Sequence, residues 1–243
     1  MAQWGILFSL FVALVLPLGA ALILSRKYSS FRPVLLGALT FIIFQVLTRI
    51  PLIQVVLPRY AWYAIFTATQ PLLYLLLLSL TAGIFEELGR YIMMKRFMKD
   101  SPYLHSIGFG IGHGGIEAIL LVGTPTLLML IQQGGSIPGV PVSNFFLSGF
   151  ERLFAMMAHI GLSVMVWASI RTRRPLLLPL AIGLHGLMNF SAVFLLQLGV
   201  SLYLVEGLLG LFAAGFLLYT LHIHGKTKRG IEHEQNEHEK EDH

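Results

Sequence analysis

The chain has no cysteine, and only 12% of its residues are charged. The first absence excludes structural disulfides, cysteine-zinc sites and thiol catalysis. The second sets the chain apart from soluble domains of this length, which carry roughly 25% charged residues. With 56% hydrophobic residues and a mean hydropathy of +0.75, the surface has no sufficient polar shell, so lipid is the solvent for most of it. Acidic residues are also scarce outside the C-terminal tail. Only Glu86, Glu87, Asp100, Glu117, Glu151 and Glu206 precede Lys226, and all but Asp100 lie within or beside an apolar run. The pI of 9.6 does not point to nucleic acid as a partner, because the basic residues gather in short connections, as membrane topology demands.

What is present is a series of apolar runs of membrane-crossing length, near residues 4–24, 33–50, 62–90, 103–132, 149–170, 175–198 and 201–222. The first has no charged leader and no cleavage site followed by polar chain, so it reads as a retained helix. Arg26, Lys27 and Arg32 flank the first connection, Lys95, Arg96 and Lys99 the third, and Arg171, Arg173 and Arg174 the fifth. Lys226, Lys228 and Arg229 follow the last run, whereas the alternate connections hold only Arg59. By the positive-inside rule this alternation predicts an all-α, polytopic transmembrane helical bundle of about seven helices, N-terminus outside and C-terminus cytoplasmic, in the cell (cytoplasmic) membrane. Residues 1–224 form one integral domain with its core at about 62–198. Residues 225–243 are a His/Glu-rich cytoplasmic tail expected to be disordered. The Gly/Pro-rich stretch 133–147 reads as an external loop, and Ser148-x-x-Glu151 as a capping box at the next helix start.

Ionisable groups inside a bilayer cost several kcal/mol each on common scales and point to function. Here four helices bring them to one depth. Glu86 and Glu87 lie nine and eight residues before Lys95, His113 fourteen after Lys99, His159 twelve before Arg171, and His185 eleven after Arg174. At ~1.5 Å per residue these positions fall roughly 12–21 Å below the cytoplasmic surface. His113 and Glu117 share one helix face, as do His185 and Asn189. Glu86 and Arg90 are also four apart, and Glu87 is turned about 100° from Glu86. One carboxylate is therefore expected to hold Arg90 and the other to face a cavity, itself expected to open towards the cytoplasmic half of the bilayer. Glycines 108, 110, 112, 114 and 115 around His113 allow helices to approach closely. They lie inside a membrane helix, which excludes a dinucleotide-binding loop.

Hydrolysis in a membrane needs an activated water and donors for the developing oxyanion. Neither Asp100 nor Asp242 is intramembrane, so an aspartyl pair is excluded. The tail segments HEQNEH and HEKEDH lack H-E-x-x-H spacing, and Gly161-Leu-Ser163-Val164 lacks the second glycine of a rhomboid-like G-x-S-G motif. Glu and His remain. Glu86-Glu87-Leu-Gly-Arg90, Phe109-Gly-Ile-Gly-His113 and His185-Gly-Leu-Met-Asn189 together resemble the three motifs of the CAAX-protease and bacteriocin-processing (CPBP) / PrsW-like superfamily. With Glu117 and His159 added, the chain most resembles the YhfC family of intramembrane metalloproteases.

That resemblance, over about residues 86–189, implies an intramembrane endopeptidase. It would act on membrane-associated or prenyl/leader-type peptides, in contact with membrane lipid. It implies Glu86 or Glu87 with His113 as activators of water, His185 and Asn189 as oxyanion donors, and Arg90 and Glu117 in support. His113, Glu117, His159 and His185 would be candidate ligands of one Zn2+. The first motif is E-E-x-x-R rather than the common E-E-x-x-x-R, leaving the catalytic Glu open. Two other readings stand beside it: a non-catalytic scaffold or immunity-type membrane protein, and a metal or proton transporter, since buried His and Glu also serve as ion relays.

Overall fold

A computed structural model describes residues 2–27, 29–133 and 141–241. The described residues are helical without a strand. We label the helices α1 (Gln3–Lys27), α2 (Arg32–Arg59), α3 (Ala61–Thr69), α4 (Pro71–Phe97), α5 (Tyr103–Gln132), α6 (Val142–Arg171), α7 (Leu177–Gln197) and α8 (Leu202–Glu241). All except the short α3 are long and apolar enough to cross a membrane, giving the seven spans expected, with the α8 span ending at Lys226.

Several boundaries differ from those read in the sequence. The run 62–90 is two helices, because Gln70 leaves helical geometry (φ −130°, ψ 59°) ahead of Pro71, as a residue before proline is biased to do. Helix α6 begins at Val142, directly after Pro141. Ser148 is therefore inside the helix and not its cap, and the Glu151 carboxylate is taken by Arg152. The C-terminal segment, expected to be disordered, continues α8 as helix to Glu241. Its Glu, Lys and Gln are good helix formers, and no proline interrupts it. Of the 133–147 loop, residues 134–140 lie outside the described residues, and 142–147 are helical.

Helix α6 is the most buried span, with α5 on one side and α8 on the other. Missing side chains decide how closely these helices approach. A Cβ at Gly112 would collide with the Val34 carbonyl of α2, and one at Gly37 with the Phe109 carbonyl of α5. On the opposite face of α5, a Cβ at Gly110 would lie 2.5 Å from the Ile160 Cα of α6. Gly83 of α4 meets the Ile182 carbonyl of α7 in the same way, at 2.6 Å. Such backbone-to-backbone contact is how membrane helices associate without a hydrophobic driving force between them. It places His113 beside His159, and Glu86 and Glu87 beside His185.

The two ends of the bundle are filled differently. Towards the basic connections the core is packed with Met94, Met98, Tyr103, Phe109, Met165 and Trp167. Towards the opposite end a cavity of about 320 Å³ reaches the polar layer, and a separate one of about 400 Å³ lies among Tyr91, Lys95, Ser169 and Leu178 at the basic end. Gly112→Val and Gly37→Val should each lower stability by about 1–3 kcal/mol, since an obstructing backbone cannot turn aside. Gly19→Ala, whose Cβ meets nothing within 4 Å, should leave the thermal midpoint in detergent unchanged.

Candidate metal and catalytic centre

Arg90 is the hub of the centre. Its side chain is fully buried and pairs through Nη1 with Glu87, one helical turn earlier on α4. Its Nη2 donates to His159 Nδ1 of α6 at 2.6 Å and stands 3.7 Å from Glu86 Oε2. Of the two carboxylates, Glu87 therefore holds Arg90, and Glu86 lines the cavity. His185 of α7 donates from Nδ1 to Glu87 Oε1 at 2.7 Å. His113 of α5 donates from Nε2 to Glu86 Oε2 at 2.9 Å. His159 Nε2 lies 2.5 Å from Glu117 Oε2, and Arg152 Nη1 donates to Glu117 Oε1 at 2.9 Å. The His113 and His159 rings are 5.0 Å apart, and those of His159 and His185 5.7 Å.

These partners settle which ring nitrogens carry lone pairs. Carboxylates only accept, so the proton of His113 sits on Nε2 and that of His185 on Nδ1. His113 Nδ1 is left buried with no hydrogen-bond partner. His185 Nε2 lies 4.0 Å from Glu86 Oε2. A guanidinium only donates, so His159 accepts on Nδ1 and shares its Nε2 proton with Glu117.

Two groups in the network carried no motif. Gln45 of α2 donates to Glu86 Oε1 at 2.7 Å, and Arg49 Nη1 donates to Gln45 Oε1 at 3.1 Å. Arg49 also donates to the Leu78 carbonyl and to Thr81 of α4. The available signal was a polar pair four residues apart in an otherwise apolar span. Both lie in a π-helical stretch, Ile42–Arg49, of α2, a conformation often found at functional sites. Arg152 of α6 binds Glu117 and so belongs to the centre's edge.

The donor set fits a metal ion. Donor atoms of Glu86, His113, Glu117 and His159 all lie within 4.8 Å of one another. Imidazole and carboxylate ligands of this kind suit Zn2+ and neighbouring first-row divalent ions. Glu86 and Glu87 pair with Arg90, while Glu117 and Glu151 share Arg152, so carboxylates outnumber guanidiniums here, a balance that a bound cation would offset. The His159 Nε2 proton is the one such an ion would displace. Of the four ligands expected from sequence, three belong to this group. The fourth position goes to Glu86, and His185 adjoins it.

The centre borders a cavity of about 320 Å³, and Asn189 lines it one turn beyond His185. The expectation that it opens towards the basic connections is not met. Its other lining residues, among them Arg49, Leu75, Ser79, Ala192 and Leu209, lie on the far side of the histidine layer. Met94, Phe109 and Met165, buried between the layer and the basic connections, do not line it.

Fold and centre together define a polytopic helical membrane protein with a buried Glu/His group able to hold a metal ion. The family of YhfC intramembrane metalloproteases matches residues 12–135 and 126–209. The chain is 33% identical to the uncharacterized membrane protein YhfC of Bacillus subtilis (strain 168), with 78% of this chain and 83% of that protein covered. The chain belongs to the YhfC family. No solved structure matches it.

Two outcomes test the centre. Protein lacking residues 225–243, so that tail histidines cannot contribute, should carry about one metal ion per chain. His113→Ala and Glu86→Ala should lose it while eluting as folded protein; metal content by mass spectrometry decides. Arg90→Ala should lower stability by about 3–5 kcal/mol in detergent unfolding, because it strands Glu87 as an uncompensated buried charge.

Proposed function

We propose that this protein is an intramembrane endopeptidase of the cytoplasmic membrane, hydrolysing membrane-associated peptide or protein substrates with Glu86 as the carboxylate that activates water. The observation that carries this reading is the division of labour between adjacent carboxylates. Glu87 is spent on Arg90 and His185, whereas Glu86 faces the cavity with His113 and Gln45 bonded to it. A base needs that access to a bound water.

In this reading Gln45 and His113 orient the Glu86 carboxylate, which takes the proton of the attacking water. Glu87 fixes His185 with Nε2 towards Glu86, where it receives that proton for delivery to the leaving amine. Asn189, one turn further along the cavity wall, supplies an amide donor to the developing oxyanion. Arg90 keeps the Glu87–His185 pair and His159 in register. A Zn2+ would be held by His113, Glu117 and His159, with one position open and Glu86 beside it as the base, and would supply Lewis acidity to the attacking water. Placement in the CPBP / PrsW-like superfamily rests on the three motifs and is part of the same proposal.

The transporter reading is weaker, because Met94, Phe109, Leu162 and Met165 occupy the path from the centre to the basic connections. An ion relay wants polar groups on both sides. Glu86→Gln should reduce turnover by at least ~100-fold, the lower range for loss of a general base, and Gln45→Leu by less. The check compares membrane peptidomes of cells expressing wild type and variants. Identical peptide patterns in wild type, Glu86→Gln and His113→Ala would sink the assignment.

A further inference from the structure

We propose that the centre is served from the extracytoplasmic face, so that the segments it cleaves lie in the outer half of the bilayer or enter from that side. The substrate part of this inference rests on the hydrolase reading; the direction of access does not.

Three independent features converge on it. The cavity wall is built from Arg49, Leu75, Ser79, Ala192, Val193 and Leu209, from four helices, and each lies beyond the Glu/His layer towards the 59–71 and 197–202 connections. On the other side of the layer, Met94, Met98, Tyr103, Phe109, Met165 and Trp167 are buried against one another, and none of them lines the cavity. The basic residues themselves mark that end as cytoplasmic. Arg26, Lys27, Arg32, Lys95, Arg96, Lys99, Arg171, Arg173, Arg174 and Lys226 lie there, against Arg59 at the open end.

The charge pattern alone does not say which way the cavity faces, and the cavity alone does not say which face is outside. Together they orient the chemistry. Polar wall groups at the open end, Arg49 and Arg152 with Glu151, let water follow a peptide inward. Apolar side chains pack beyond the layer on the cytoplasmic side. A site so arranged suits exported or membrane-inserted polypeptides after they have crossed, rather than cytoplasmic tails.

The absence of native cysteine makes the test clean. Ser79→Cys and Ala192→Cys report on the cavity, Arg59→Cys on the open end and Lys99→Cys on the basic end. Each is exposed to a membrane-impermeant methanethiosulfonate in right-side-out and inside-out vesicles. Unmodified thiols are then counted with a PEG-maleimide after denaturation, using protein that elutes as a single folded species. Ser79→Cys and Ala192→Cys should react at least ~10-fold faster in right-side-out vesicles, alongside Arg59→Cys, and Lys99→Cys only in inside-out vesicles. Cavity thiols that react only with Lys99→Cys, or from neither side, overturn the proposal, as does exchange of the two reference positions. Outward labelling without any peptidase activity would sink the hydrolase reading alone. Cleavage with inward labelling would sink only the direction of access.

Discussion

One buried guanidinium holds the centre together. Arg90 reaches Glu87 on its own helix, His159 on α6 and the neighbourhood of Glu86. Through Glu87 it also fixes His185 on α7. A charge this deep in a membrane protein is tolerated only with partners of opposite sign. His159 accepts on Nδ1 because arginine can only donate. Arg90 thus sets the proton of His159, while Glu86 and Glu87 set those that His113 and His185 direct at them.

That arrangement needs helices close enough for short polar side chains to meet. The glycines of α5 bring α2 and α6 to backbone distance on its two faces, and Gly83 does the same between α4 and α7. Hydrogen bonds in the layer then confirm a packing that small residues made possible. The same packing is uneven along the membrane normal. Large side chains fill the bundle on the basic side, and polar or small ones leave space on the other. The cavity ends at the polar layer, with apolar side chains packed beyond it.

Much of this was legible along the chain. The seven spans followed from apolar length, and the shared depth of Glu86, Glu87, His113, His159 and His185 followed from counting residues to the nearest basic group. Spacing by four put His113 with Glu117 on one face. What spacing missed were partners on other helices. Gln45 and Arg49 looked like isolated polar residues of α2, yet they form a chain ending on Glu86. Arg152 resembled a helix-start device and is a ligand of Glu117. Proline, which constrains its neighbours through sterics alone, explains where the run 62–90 breaks and where α6 begins.

The sequence by itself determined membrane residence, the number of spans and the residue types gathered in one layer, because hydropathy, charge and helical rise are properties of each segment taken singly. Only the tertiary structure decided that Glu87 rather than Glu86 is spent on Arg90, which histidine nitrogens keep lone pairs, and towards which end the centre's cavity lies. Those outcomes depend on distances between helices and on the volumes of side chains facing each other. Neither quantity is written in any one helix.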